Sequence, residues 1–175
     1  MNYFQLFDLP TDFTVDLNQL SSRYQTLQKA VHPDKFAHAS EQEQRIAVQK
    51  SAEINDAYQT LKKPLQRAEY LLVDRGIEMP NEQHSFSDTG FLMRQMELRE
   101  MLAEVKFSDN PEAALSAVQN ELESEHQSLF ALLQTQLSEN TPESNRLACD
   151  NLRKLKFYQK LTIEVERLEE SLFDD

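Results

Sequence analysis

The chain has 175 residues, which suits one domain or two small ones, and its 30 acidic residues against 18 Lys and Arg give a net charge of −12. A negative charge of that size repels phosphate backbones and anionic lipid surfaces, so nucleic acid and membranes are not expected partners. Two glycines are too few for a phosphate-binding loop, and one cysteine excludes an internal disulfide and a multi-thiolate metal site built by this chain alone. We expect the chain to hold no cofactor, metal or nucleotide.

The two halves of the chain differ in charge. Residues 1–75 carry 9 basic and 10 acidic side chains, whereas residues 76–175 carry 9 basic and 20 acidic ones. Two segments with such different electrostatics are expected to meet different partners. The first ten residues, MNYFQLFDLP, have neither the basic segment nor the apolar run of a signal peptide, so we expect a cytoplasmic protein.

The first long helix is predicted to begin near residue 17 and to end at Pro33. Apolar residues recur there at steps of three and four, on one face of a helix. They are Leu17, Leu20, Tyr24, Leu27 and Val31. Asp16 precedes the stripe as a capping residue, and Pro33 ends the helix because it fixes φ and has no amide proton.

Three further helices complete residues 1–75. We predict a loop over residues 34–40, then a helix from about Glu41 to Leu61 that turns Ala47, Ile54, Tyr58 and Leu61 inward. Pro64 suits the first turn of a short helix, and Gly76 lies where that helix ends. The aromatic segment Tyr3–Leu9 is the fourth.

Residues 76–87 contain Gly, Pro, Asn and Ser without periodicity and are predicted to be a linker. Three helical patterns follow, at about residues 88–106, 111–138 and 142–172. The apolar repeats of the last two are Leu115, Val118, Leu122, Leu129, Leu133 and Leu137, then Leu147, Tyr158, Leu161, Val165, Leu168 and Leu172. Short connections between long helices favour an antiparallel three-helix bundle over residues 88–175. The predicted fold is therefore all-α throughout.

The tripeptide His32-Pro33-Asp34 lies between the two antiparallel helices of the first segment. Pro33 makes the corner stiff, His32 can donate and accept hydrogen bonds, and the Asp34 carboxylate suits a partner's arginine. A lone His-Pro-Asp occurs by chance in roughly one chain per hundred of this length, and a capped turn is the simpler interpretation. Metal binding is disfavoured, because two ligands on one turn leave an incomplete shell.

The helix that leads to this corner is basic in an acidic protein. No acidic residue occurs from residue 17 to residue 33, yet Arg23 and Lys29 are present and Lys35 follows the tripeptide. A local region of opposite charge steers a specific acidic partner surface. The combination of helix, basic face, tripeptide and second helix therefore favours a docking site.

Residues 1–75 resemble the J domain, the module that docks on DnaK-type chaperones and stimulates their ATP hydrolysis. The segment VHPDKF carries the resemblance most specifically. It implies that His32, Pro33 and Asp34 are the stimulatory residues, and that the docking charges are Arg23, Lys29 and Lys35. The sequence departs from the family at Val31, where an aromatic residue is common.

Three further segments narrow the resemblance to the HscB family of J-type co-chaperones. They are AEINDAYQTLKKPLQRAEYLL, SDTGFLMRQMELREML and LRKLKF. The resemblance implies that the J domain, residues 1–75, acts on the ATPase chaperone HscA. It also implies that the C-terminal bundle binds the iron–sulfur scaffold IscU.

Residues 88–106 have two apolar faces when they are placed on a helix at 100° per residue. Phe91, Leu98, Leu102 and Val105 fall within roughly 60° of one another and form the predicted core stripe. The second face comprises Leu92, Met93, Met96, Glu97, Glu100 and Glu104. A bundle helix needs one buried stripe, so the second face either packs elsewhere in the protein or forms a partner surface edged by carboxylates.

The resemblance assigns the second face to scaffold binding and adds Phe157 from the last helix. An enzyme that uses His32 with Asp34 or Glu100 is disfavoured, because a turn tip offers no concave pocket. A J-domain protein with another client is disfavoured by the segment FLMRQMELRE. We therefore expect a non-enzymatic adaptor, with no catalytic residue, that needs no more than a monomer.

Overall fold

The computed structural model describes residues 1–81 and 86–173. Every regular element within those residues is a helix, which confirms the all-α prediction. The chain divides into two compact units, Met1–Glu78 and Met79–Asp175. The predicted linker at residues 76–87 lies partly outside the described residues. No described helix is both long and apolar enough to cross a bilayer.

The N-terminal unit contains four α-helices and one short 3-10 helix. They are α1 (Tyr3–Leu6), α2 (Leu17–Val31), the 3-10 helix (Pro33–Phe36), α3 (Glu41–Lys62) and α4 (Pro64–Asp74). The four predicted helices are confirmed. The predicted loop at residues 34–40 is partly wrong, because the turn after Pro33 closes as the 3-10 helix.

Helices α2 and α3 form an antiparallel hairpin. The Tyr24 and Tyr58 rings stack with their centroids 4.1 Å apart, and Gln28 exchanges hydrogen bonds with the carbonyl and hydroxyl of Ser51. Tyr24 pairs with Tyr58, and the later α2 residue Gln28 pairs with the earlier α3 residue Ser51. That order is the one expected of antiparallel helices. Leu20 and Leu61 are fully buried, whereas Leu17, the first residue of α2, is exposed and its predicted core position is wrong.

The buried guanidinium of Arg67 joins three parts of the N-terminal unit. Its Nε donates to the Phe13 carbonyl at 2.6 Å, and its Nη1 donates to the Leu61 carbonyl at 2.7 Å. The guanidinium also stacks 4.9 Å from the centroid of the Phe13 ring, and burial lowers the pKa of Arg67. One side chain of α4 therefore fastens the loop before α2 and the end of α3.

The C-terminal unit is a three-helix bundle. Its elements are α5 (Thr89–Glu104), a 3-10 helix (Val105–Phe107), α6 (Pro111–Glu139) and α7 (Pro142–Phe173). Asn140 ends α6 in the left-handed conformation, with φ of 48°, and the chain re-enters a helix two residues later. The predicted bundle is confirmed, and its buried cluster is Phe91, Leu98, Val105, Leu115, Val118, Leu122, Tyr158, Leu161 and Val165.

The first turns of α7 differ from the prediction. Leu147 is exposed, so its predicted core position is wrong. The buried face there contains small and polar residues, among them Ser144, Asn145 and Ala148, which a pattern of large apolar residues does not detect. Cys149 is buried, and its Sγ lies 3.6 Å from Sδ of Met79.

We predict that Arg67→Met lowers the free energy of unfolding by about 2–4 kcal/mol, because two buried carbonyls lose their donors. Urea unfolding followed by circular dichroism measures the change. Arg45→Met, at an exposed position on α3, is the matched control and should shift stability by less than about 0.5 kcal/mol. Equal stability of the two variants would remove the fastening role of Arg67.

Candidate functional site

The His-Pro-Asp corner is held by its own backbone. His32 ends α2 with φ of −57° and ψ of 133°, which turns the chain out of the helix, and Pro33 begins the 3-10 helix. The His32 Nδ1 accepts a hydrogen bond from the Asp34 amide at 3.2 Å, and the Lys35 amide donates to the His32 carbonyl at 3.0 Å. The corner therefore has a defined shape before any partner arrives.

The imidazole and the carboxylate of the corner both face solvent. The His32 side chain is 57% exposed and the Asp34 side chain 91% exposed. The His32 Nδ1 lies 3.6 Å from an Asp34 carboxylate oxygen. The corner therefore presents an imidazole and a carboxylate side by side, and both are accessible to a partner.

Gln44 of α3 fixes the loop after the corner. Its Nε2 is the donor and lies 3.1–3.3 Å from the carbonyl oxygens of Phe36, Ala37 and Ala39. The two amide hydrogens of this α3 side chain are thus shared among three backbone acceptors. Sequence reasoning missed Gln44, because a polar residue on a helix surface has no local pattern that indicates such a contact.

The three predicted docking charges are placed differently. Lys29 and Lys35 are exposed beside the corner. Arg23 is half-buried, and its Nη1 donates to the carbonyls of Phe7 and Asp8 after α1. Arg23 therefore has a structural contact that its sequence position did not indicate, and its docking role stays a prediction.

A shallow groove runs from the corner between α2 and α3. Its volume is about 540 Å³, and its lining includes Tyr24, His32, Pro33 and Val48. Val48 is an exposed apolar residue of α3. The corner is thus the polar end of a partly apolar groove on the hairpin.

Helix α5 has one buried and one exposed apolar face. Phe91 and Leu98 are buried, whereas Met93 is 63% and Met96 is 65% exposed, and Leu92 is also exposed. The predicted carboxylates Glu97, Glu100 and Glu104 are exposed as well. The described part of the protein leaves this face to solvent, as a partner surface requires, while its role in binding stays a prediction.

Arg94 fixes the orientation of α5. Its guanidinium donates to Glu97 at 2.9 Å and, across to α6, to Glu125 at 2.6 Å and to Glu121. The Tyr158 hydroxyl of α7 donates to the other oxygen of Glu125 at 2.6 Å. One polar network therefore joins all three helices of the bundle.

The pKa values of this network shift in consistent directions. Burial lowers the pKa of Arg94, but the three carboxylates outweigh it and raise that pKa above its ordinary value. Burial, together with the hydrogen bond to Glu125, raises the pKa of the Tyr158 hydroxyl. Arg94 thus stays charged and Tyr158 stays neutral at ordinary pH.

Phe157, the one predicted partner residue on α7, lies at the margin of the bundle core. It packs edge-on against Phe91, with ring centroids 5.6 Å apart, and the Arg99 guanidinium lies 5.5 Å from its ring centroid. Arg99 follows Leu92 by seven residues and so shares its edge of α5. The structure therefore brings Phe157 beside the exposed face of α5, which helical spacing alone did not predict.

The start of α5 is held to α7 by an ion pair. Asp88 caps α5 by accepting from the Phe91 amide at 3.1 Å, and the Lys154 Nζ lies 2.8 Å from its other oxygen. The hydrogen bond from Lys154, followed by that from the Phe91 amide, lowers the pKa of Asp88. Phe86, just before α5, packs on Phe91 with centroids 4.8 Å apart.

No cluster of three or more potential metal ligands occurs in the stretches 1–81 and 86–173. What the fold does present is a polar tripeptide at the bend of a helical hairpin, and an exposed helix face on a separate bundle. Those two features are the ones that the resemblance to J-domain co-chaperones led us to expect.

Comparison with known proteins agrees with that class. Residues 2–70 match the family described as the DnaJ domain, and residues 87–166 match the family described as the HSCB C-terminal oligomerisation domain. The chain belongs to the HscB family of co-chaperones, which act in iron–sulfur cluster assembly. The resemblance indicated by VHPDKF and FLMRQMELRE is thereby confirmed.

The similar proteins match nearly all of this chain. A co-chaperone protein HscB homologue of Colwellia psychrerythraea is 73% identical over 100% of both chains, and one of Shewanella halifaxensis is 47% identical over 99% of this chain and 100% of that one. The structure of chaperone HscB from Vibrio cholerae has a TM-score of 0.87 at 50% identity, covering 99% and 100% of the two chains. The crystal structure of human co-chaperone HscB also has a TM-score of 0.87, at 31% identity, covering 98% of this chain and 84% of that one.

We predict that Tyr158→Phe destabilises the bundle by about 1–2 kcal/mol near neutral pH, through loss of the hydrogen bond to Glu125. The folded pKa of Tyr158 lies above its unfolded value of 10.0, so this stabilisation is fully present below pH 10 and is lost as the pH rises further. Urea unfolding of both proteins across that range measures the difference. If the difference in free energy of unfolding between the two proteins does not narrow above pH 10, the hydrogen bond from Tyr158 to Glu125 is not its source.

Proposed function

We propose that the J domain docks on an HscA-type ATPase chaperone and stimulates its ATP hydrolysis, while the bundle holds an IscU-type iron–sulfur scaffold. The protein acts in the cytoplasm as a monomeric adaptor, with no part for nucleic acid or membrane. It catalyses no reaction itself. Its two units each supply one contact.

The exposed His32-Pro33-Asp34 corner carries this proposal. Its carboxylate is 91% exposed on a backbone that is already shaped by internal hydrogen bonds, so little conformational entropy is lost on docking. Lys29 and Lys35 add positive charge beside it, in a chain of net charge −12. This local contrast favours approach of an acidic chaperone surface.

In this proposal the exposed face of α5 binds the client, which is the iron–sulfur scaffold. Leu92, Met93 and Met96 supply an apolar centre, and the predicted carboxylates Glu97, Glu100 and Glu104 surround it. Phe157 flanks the same face. An apolar centre with a charged rim fits a scaffold surface of apolar and basic side chains.

Linking the two contacts in one chain supplies the mechanism. A scaffold bound to the bundle has a raised effective concentration at the chaperone that the J domain engages, so modest affinities suffice. Stimulated hydrolysis then traps the client on the chaperone and promotes release of its cluster. The adaptor therefore brings the scaffold to the chaperone and stimulates ATP hydrolysis, and the chaperone hydrolyses the ATP.

We predict that His32→Gln lowers the stimulated ATPase rate of an HscA-type chaperone at least about tenfold, the rate equivalent of about 1.4 kcal/mol. The imidazole is lost while α2 and α3 keep their packing, so helicity and scaffold binding should remain. The measurement is steady-state phosphate release with purified chaperone. His38→Gln, an exposed histidine a few residues along the chain, is the matched control. Full stimulation by His32→Gln would exclude the corner from the mechanism.

We predict that Leu92→Ala combined with Met93→Ala weakens scaffold binding by about tenfold or more, because two exposed apolar contacts are truncated. Calorimetric titration with an IscU-type scaffold measures the affinity. Basal ATPase stimulation should not change, since the substitutions lie outside the J domain. Leu132→Ala, at an exposed leucine of α6, is the control. Unaltered titration by the double variant would return the α5 face to a packing role.

A further inference from the structure

Phe107 is an exposed aromatic residue that the predicted surfaces do not include. It ends the 3-10 helix that continues α5, and it is 79% exposed. The Lys106 Nζ lies 5.2 Å from its ring centroid and covers part of the ring. A phenylalanine so exposed gains most of its hydrophobic free energy only when a partner covers it.

Phe107 lies on the same side of α5 as the exposed methionines. Met93, Glu100 and Phe107 are spaced by seven residues, and Met96 and Ala103 fall between them at helical steps of three and four. The tighter 3-10 turn rotates Phe107 by a few tens of degrees, which leaves it within the same face. The exposed face therefore runs about 21 Å along the helix, from Met93 to Phe107.

An apolar notch opens beside Phe107. It has a volume of about 530 Å³ between the end of α5 and the first turns of α6, and its lining includes Met101, Val105 and Ala117. Glu104, one of the carboxylates of the exposed face, also lines it. The notch is thus continuous with that face and has a negative charge at its rim.

The charge of the surface selects its occupant. Glu97, Glu100 and Glu104 line the face, and the whole chain has a net charge of −12, so charge favours a basic partner over a second copy of this chain. A basic partner with an apolar side chain suits both the notch and its rim. For the scaffold of the proposed function, this requires an apolar side chain with a basic neighbour.

We propose that Phe107 and the adjacent notch form the far end of the client surface and receive an apolar side chain, flanked by a basic residue, of the iron–sulfur scaffold. This inference rests on the proposed function, because it names a further part of the same contact. The aromatic ring is the anchor of this end, and Glu104 pairs with the flanking basic residue.

Titration of the full-length protein with purified IscU-type scaffold tests the proposal. Phe107→Ala should weaken binding about tenfold, whereas Phe107→Leu, which keeps an apolar side chain, should retain most of the affinity. Ala117→Leu fills the notch without altering the ring and should also weaken binding. Leu132→Ala serves as the control for an exposed apolar residue elsewhere on α6.

The outcomes separate this proposal from the one on which it rests. If the Leu92 and Met93 double variant loses affinity while Phe107→Ala binds like the wild type, the role of Phe107 and the notch is overturned. The proposal that the exposed face of α5 binds the scaffold then still holds. If neither variant changes the titration, both proposals fail. Sedimentation of the free protein reports self-association, and a change there with unaltered scaffold binding would assign Phe107 to a second copy and overturn the proposal. Unfolding curves matching the wild type establish that each variant is folded.

Discussion

The α2–α3 hairpin depends on the inability of Pro33 to continue a helix. Without an amide proton and with φ fixed, the chain must leave α2 at His32, and the imidazole and the Asp34 amide then close the turn. Gln44 holds the loop after the corner against α3, and the Gln28–Ser51 pair holds α2 against α3. The exposed polar groups therefore stand on a backbone with little freedom, which is what allows a short tripeptide to serve as a recognition element.

The bundle is under a different constraint, because α5 must pack on one face and leave the other face exposed to solvent. Apolar packing alone specifies which residues turn inward, but a helix with two apolar faces could rotate and bury the wrong one. The Arg94 guanidinium opposes that rotation, since its bonds to Glu121 and Glu125 hold only when Leu98 faces the core. A polar network thus gives the orientation a specificity that hydrophobic burial does not supply.

Local pattern predicted the elements well, and its errors have a common cause. Pro64, Pro111 and Pro142 each begin a helix where expected, and the two faces of α5 separate as their spacing indicated. Leu17 and Leu147 were placed in the core wrongly, because burial near a helix end depends on what packs there rather than on the period. Arg94 was missed as a positioning residue, since its α6 partners lie 27 and 31 residues away in sequence.

The Arg94–Glu97 contact also sets how the α5 face attracts a partner from a distance. Glu97 shares its charge with a guanidinium of its own helix, whereas no ion pair ties Glu100 or Glu104 among residues 86–173. The long-range field of the face therefore comes mostly from its second half. Added salt screens that field, so it should slow the first encounter with a cationic partner more than it speeds departure from the formed complex.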